Sequence, residues 1–107
     1  MTDSIMALTE AVYYILLSLN QPLHGYGIMQ NIEKITDGRL KLAAGTLYGA
    51  ITTMVEKGWI RALPEEKESR KKEYVVTDLG KKILSGEMAR LEELLANGKC
   101  ILGGSME

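Results

Sequence analysis

The chain has 107 residues, 46% of them apolar, and a net charge of −1, which is room for one packed domain and too little for two. Its longest apolar run, Ala11 to Leu17, falls well short of the roughly 18 residues of a membrane helix. The single Cys100 excludes an internal disulfide, and His24, the only histidine, has no second imidazole or thiol with which to build a zinc site. Met1-Thr2-Asp3-Ser4 has no basic segment ahead of the apolar residues, so a cytoplasmic address is expected and a secretory signal is not.

Thr9 stands as the N-cap of a first helix, in which Ala11, Val12, Ile15, Leu16 and Leu19 recur at helical spacing until Asn20-Gln21-Pro22 stops it. His24 to Thr36 predicts a second helix, with Tyr26, Ile28, Met29, Ile32 and Ile35 on its inward stripe. Asp37-Gly38 marks a turn, and the alternation in Arg39-Leu40-Lys41-Leu42 predicts a short strand. A third helix starts near Ala43 to Thr46, carries Leu47, Ile51, Met54 and Val55 inward, and ends at Lys57-Gly58. Trp59 to Leu63 and Tyr74 to Thr77 read as two strands joined by the polar loop 64–73. Thr77 or Asp78 then caps a last helix, where Leu84, Met88, Leu91 and Leu95 step by four, three and four as a coiled-coil seam supplemented by Leu94. Gly98, Gly103 and Gly104 suggest a frayed end.

Charge is unevenly spread along this order. Residues 39–72 carry eight basic and four acidic side chains, against a net −3 before them and −2 after them. The basic block therefore coincides with the third helix, its lead-in and the hairpin. Three helices followed by a charged hairpin is the order of a winged helix-turn-helix, whose third helix enters the DNA major groove, and Lys or Arg near phosphates gains affinity by releasing counterions. The fold class expected is thus α+β, mainly α, a winged helix-turn-helix over residues 1–77 with a C-terminal dimerisation helix and flexible tail over 78–107.

Four motifs then occur in sequence: His24-Gly25-Tyr26-Gly27-Ile28, Gly45-Thr46-Leu47-Tyr48, Glu56-Lys57-Gly58-Trp59-Ile60, and Lys72-Glu73-Tyr74-Val75-Val76-Thr77-Asp78-Leu79-Gly80. Together they cover about residues 8 to 80, and in them the chain resembles the PadR family of transcriptional regulators, in its short form with one C-terminal helix. The resemblance implies a homodimeric regulator, usually a repressor, paired through the last helix, with Tyr48 on a DNA phosphate. It departs from the family pattern at Gly49, where a Pro is usual, and at Thr52 and Thr53, where basic residues are frequent.

The expected DNA-contacting residues are accordingly Thr46, Tyr48, Thr52 and Thr53 on the third helix and Lys67, Arg70, Lys71 and Lys72 on the wing. Leu84, Met88, Leu91, Leu94 and Leu95 are expected at the dimer seam. Family members that sense planar aromatic compounds bind them near the dimer interface, where this chain offers Tyr13 and Tyr14 as effector contacts. His24 and Trp59 read as structural, a helix-start hydrogen bond and a core residue, and no cofactor is expected. The serines lie in no nucleophile-elbow context and no phosphate-binding Gly-rich loop is present, so an enzyme is not expected. The competing reading is a winged-helix module for protein interaction, since this fold does not by itself imply DNA binding.

Overall fold

In a computed structural model, residues 7–64 and 71–103 are described. Their elements are α1 (Glu10–Ser18), β1 (Leu23–His24), α2 (Gly25–Ile35), α3 (Ala44–Lys57), β2 (Ile60–Ala62), β3 (Glu73–Val76), α4 (Asp78–Gly98) and a π-helical turn (Lys99–Gly103). The strands form an antiparallel sheet in the order β1-β3-β2, with Leu23 opposite Tyr74 and Ile60 opposite Val76.

Each helix start has a local cause. The Thr9 hydroxyl accepts the Val12 N–H at 3.2 Å, and His24 Nδ1 accepts the Gly27 N–H at 2.9 Å, the structural hydrogen bond expected of that histidine. Thr77 accepts the Gly80 N–H at 3.1 Å while its own hydroxyl lies 2.6 Å from the Gly58 carbonyl. That one side chain therefore ties the end of α3 to the start of α4. Only α3 lacks a side-chain cap: it begins after Ala43, so Thr46 lies inside the helix. Gly58, at φ 79°, ends it in the left-handed region that favours glycine.

The core joins all the large elements. Ile15, Leu16 and Leu19 of α1 meet Ile28 and Ile32 of α2, Leu47, Ile51 and Met54 of α3, and Trp59, Ile60 and Val76 around the sheet. Burying each such aliphatic side chain is worth about 1.5–3 kcal/mol, so α3 is held chiefly by three inward residues, with Ala50 beside them, and its opposite face stays open. Trp59 is buried, as its sequence position implied. Gly80 permits a close approach to backbone: a methyl group there would lie 2.6 Å from Val76 Cγ2 and overlap the Trp59 carbonyl.

Four expectations are corrected. Arg39 to Leu42 is a loop, because the free edge of β3 is taken by Leu23–His24 instead. The alternation there has another origin: Leu40 and Leu42 pack on the core, while Arg39 pairs with Glu10 and Lys41 with Glu33. Tyr26 and Ile35 lie at the margins of the α2 stripe and are exposed, and Val55, off the Leu47-Ile51-Met54 line, is exposed too. The chain does not fray at Gly98 but stays helical through Gly103, while residues 104–107 lie outside the described residues.

Candidate nucleic-acid interface

With Leu47, Ile51 and Met54 turned inward, α3 presents Thr46, Tyr48, Thr52 and Thr53 outward, all exposed. The Tyr48 side chain runs back across the start of α2, over Gly25. A methyl group at Gly25 would overlap the Tyr48 hydroxyl and lie 2.6 Å from its Cζ, so the bare glycine lets the ring lie there. Thr52 donates its hydroxyl proton to the Tyr48 carbonyl at 3.0 Å, which leaves its oxygen as an acceptor and its methyl group as an apolar contact.

Three separate elements converge at this point. His24, Gly25 and Tyr26 from the start of α2, Tyr48 from α3, and Lys71, Lys72 and Tyr74 from the wing line one cleft of about 350 Å³. The sheet brings them together, because β1 pairs with β3 and sets His24 opposite Glu73, next to Lys72. The cleft thus holds two ammonium groups and two exposed phenols, Tyr26 and Tyr48. It also lies at the N-terminal end of α2, where the helix dipole favours a negative charge. An anion held between two such elements would bridge helix and wing.

Of the expected DNA contacts, the fold brings Tyr48, Lys71 and Lys72 into this cleft and leaves Thr46 and Thr52 on the exposed face of α3. Thr53 turns instead to a second, apolar cleft between the start of α1 and α3. Lys67 and Arg70 lie outside the described residues. The sequence reading missed Tyr26 and His24 as lining residues. Periodicity assigned Tyr26 to the α2 stripe, and the signal that would have corrected it was its place in the first turn, one residue after a glycine.

The basic block also divides. Arg39 hydrogen-bonds Glu10, which raises the Arg39 pKa and lowers that of Glu10; Lys57 lies 5.5 Å from the Trp59 ring centre. These cations serve the fold, and the wing keeps Lys71 and Lys72 at the cleft. Tyr13 and Tyr14 meet edge to face at 5.7 Å between ring centres and line neither cleft.

On α4, Leu84 is half-buried and packs with Ile83 against the core, so it belongs partly to the fold. Met88, Leu91, Leu94 and Leu95 are exposed along the rest of the helix. Among the described residues of this helix Glu87 is the buried charge: it is 3% exposed and takes two hydrogen bonds from Arg90, at 2.8 and 2.7 Å. Arg90 first, and then the Leu8 backbone N–H, hold its carboxyl below the usual carboxylate range against the opposing effect of burial.

Helices α1 to α3 followed by the β2–β3 hairpin define a winged helix. The sequence comparisons agree. Residues 14–86 match the transcriptional regulator PadR-like family, and the chain belongs to that family of transcriptional regulators, which are not enzymes. A transcriptional regulator from Clostridium thermocellum superposes with a TM-score of 0.73 at 22% identity, over 87% of this chain and 92% of that one. A PadR family regulator from Eggerthella lenta gives 0.70 at 23% identity, over 85% and 80%. Bacillus subtilis PadR, solved in complex with operator DNA, gives 0.56 at 22% identity, over 70% and 44%. An uncharacterised 37.1 kDa protein in transposon Tn4556 of Streptomyces fradiae is 36% identical over 90 residues. That match takes in 80% of this chain but spans only 25% of the relative's length. Among the described residues no helix is long and apolar enough to cross a membrane.

Proposed function

We propose that the chain is a sequence-specific DNA-binding regulator, a repressor, which grips an inverted-repeat operator as a homodimer in the cytoplasm. The observation that carries this reading is the meeting of Tyr48, Tyr26, Lys71 and Lys72 in one cleft at the junction of α2, α3 and the wing. A backbone phosphate is the ligand that suits two ammonium groups, phenol hydroxyls and a helix N-terminus together. Seating it there would lay the exposed face of α3 into the major groove, with Thr46 and Thr52 toward the bases and the wing loop along the neighbouring backbone. The operator complex of the Bacillus subtilis relative supports the same use of the fold.

In this reading residues 1–77 contact DNA and 78–107 pair the subunits. Met88, Leu91, Leu94 and Leu95 form an apolar row that the chain's own core leaves uncovered, and a second copy covers it. A two-fold pair sets its two α3 helices one or more DNA turns apart, roughly 34 Å per turn, which calls for inversely repeated half-sites. A small aromatic effector that releases the operator would find its aromatic contacts at Tyr13 and Tyr14. The test is selection of DNA from a random pool by the purified protein: the reading expects an enriched inverted repeat, and no enrichment over bulk DNA contradicts it.

A further inference from the structure

His24 caps α2 with one ring nitrogen and leaves the other unused. Nδ1 accepts the Gly27 N–H at 2.9 Å, and a ring nitrogen that accepts carries no hydrogen, so in this pose the uncharged imidazole has its N–H at Nε2. Gly27 makes the pose possible: a methyl group there would lie 3.0 Å from Nδ1 and 3.1 Å from Cε1 of the ring. The Nδ1–Cε1 edge thus rests on the first turn of α2. Among the described residues none accepts a hydrogen bond from Nε2. Glu73 stands opposite His24 in the β1–β3 register but forms no ion pair with it among the described residues. A half-buried donor therefore borders the cleft that Tyr26, Tyr48, Lys71 and Lys72 also line.

We propose, resting on the reading that this cleft holds a DNA backbone phosphate, that His24 is a further DNA contact and donates its Nε2–H to a phosphate oxygen. The phosphate supplies the acceptor that the protein does not, and it removes the cost of an unmade hydrogen bond. The contact differs in kind from those of the lysines. An ammonium on a flexible stem is a point charge that finds phosphates anywhere within its reach. The imidazole is held by the Gly27 hydrogen bond and by the pairing of β1 with β3, so it fixes where the phosphate sits. Tyr48 crosses Gly25, the next residue in the chain, and the same phosphate position then sets the register of α3 on the duplex. One side chain starts α2 with one nitrogen and aligns the protein on DNA with the other.

Asparagine and glutamine separate the two nitrogens. The Asn oxygen reaches about as far as Nδ1 and is a good helix cap, with no donor at the place of Nε2. The longer Gln amide brings an N–H close to the place of Nε2 but lacks the short acceptor of a cap. Anisotropy titrations on a mixed-sequence duplex, with thermal melts of each variant, read the two roles. His24→Asn should keep the thermal transition of the parent and bind about tenfold or more weakly, as for one hydrogen bond to a charged group. Its salt slope should equal that of the parent, because no cation is lost. His24→Gln should lower the thermal transition yet lose less affinity than His24→Asn.

Full affinity in His24→Asn, or affinity losses that follow the order of the thermal transitions, would make His24 a cap alone and overturn the contact. A slope flattened by about 0.9 in His24→Asn would mark the ring as a cation and overturn it as well. The parent gives an independent readout, since His24 is the only histidine and its imidazole nitrogen resonances need no assignment. Its Nε2–H signal should shift and become protected from exchange when the duplex is added, and an unchanged signal contradicts the proposal. A parent that does not bind the duplex overturns the phosphate reading itself, whereas a parent that binds beside an equally tight His24→Asn overturns only the part given to His24.

Discussion

The Tyr48 hydroxyl occupies the space that a side chain at Gly25 would need. Helix α3 therefore presents its phenol to the wing lysines only because α2 begins with a residue that has no Cβ. Gly25→Ala should move the end of the Tyr48 side chain, which is flexible, and leave the backbone in place. We expect a stability loss within about 1 kcal/mol and a drop in DNA affinity at least as large as that of Tyr48→Phe. Paired denaturant melts and anisotropy titrations check this; a variant that binds DNA as tightly as the parent removes Tyr48 from the interface.

Gly80 provides the contrast. A methyl group there overlaps the Trp59 carbonyl, which is backbone and is also held by the Thr77 hydroxyl and N–H. Gly80→Ala should cost about 2 kcal/mol or more through overpacking. Thermal unfolding reads this directly, and an unshifted transition would show that α4 can lift from the sheet without penalty.

Much of this fold was legible in the sequence, because its caps and stops are local. Thr9, Pro22, Gly58 and Thr77 act through close neighbours in the chain, and the helix boundaries they set followed, while the helical continuation past Gly98 did not. The placement of the short strand was not legible. Leu23-His24 is a strand only because β3, some fifty residues later, lies beside it, and two residues carry no periodicity. For the same reason the cleft was half visible: Tyr48 and the wing lysines stood out, but Tyr26 joins them through the β1–β3 pairing. The division of the basic block was hidden as well, since Arg39 finds Glu10 across 29 positions of chain.

Glu87 gives a pH prediction. Its pKa is lowered in the folded chain by Arg90 and the Leu8 N–H, so its contribution to stability is fully present above the unfolded carboxylate value, near 4.3. That contribution is lost as pH falls through the lower folded value. Glu87→Gln should reduce stability at pH 7 and narrow its gap to the parent as the pH falls below about 4. Denaturant midpoints across that range test it, and a gap independent of pH would assign the effect to packing alone.

Thr52 presents an oxygen acceptor and a methyl group on the open face of α3, groups that suit base edges better than phosphates. Thr52→Ala should change operator preference more than affinity for bulk DNA, with about 1–3 kcal/mol of discrimination lost at one base pair. Comparison of single-base operator variants decides; an equal loss on all sequences would make Thr52 a backbone contact.

The apolar row on α4 calls for a partner. Leu91→Glu with Leu95→Glu would place like charges at the seam and should give a folded monomer with far weaker operator binding. Sedimentation at micromolar concentration checks it, and a variant that remains dimeric moves the interface off this face.

The central claim is that the cleft between helix and wing holds DNA phosphates. Its most direct test is the salt dependence of affinity for the parent and for the double variant Lys71→Ala, Lys72→Ala. Each phosphate contact contributes about 0.9 to the slope of log affinity against log salt. The account predicts a steep negative slope for the parent, flattened by up to about 1.8 in the variant, with affinity for all sequences reduced alike. A parent with no salt dependence, or a variant with an unchanged slope, would contradict it.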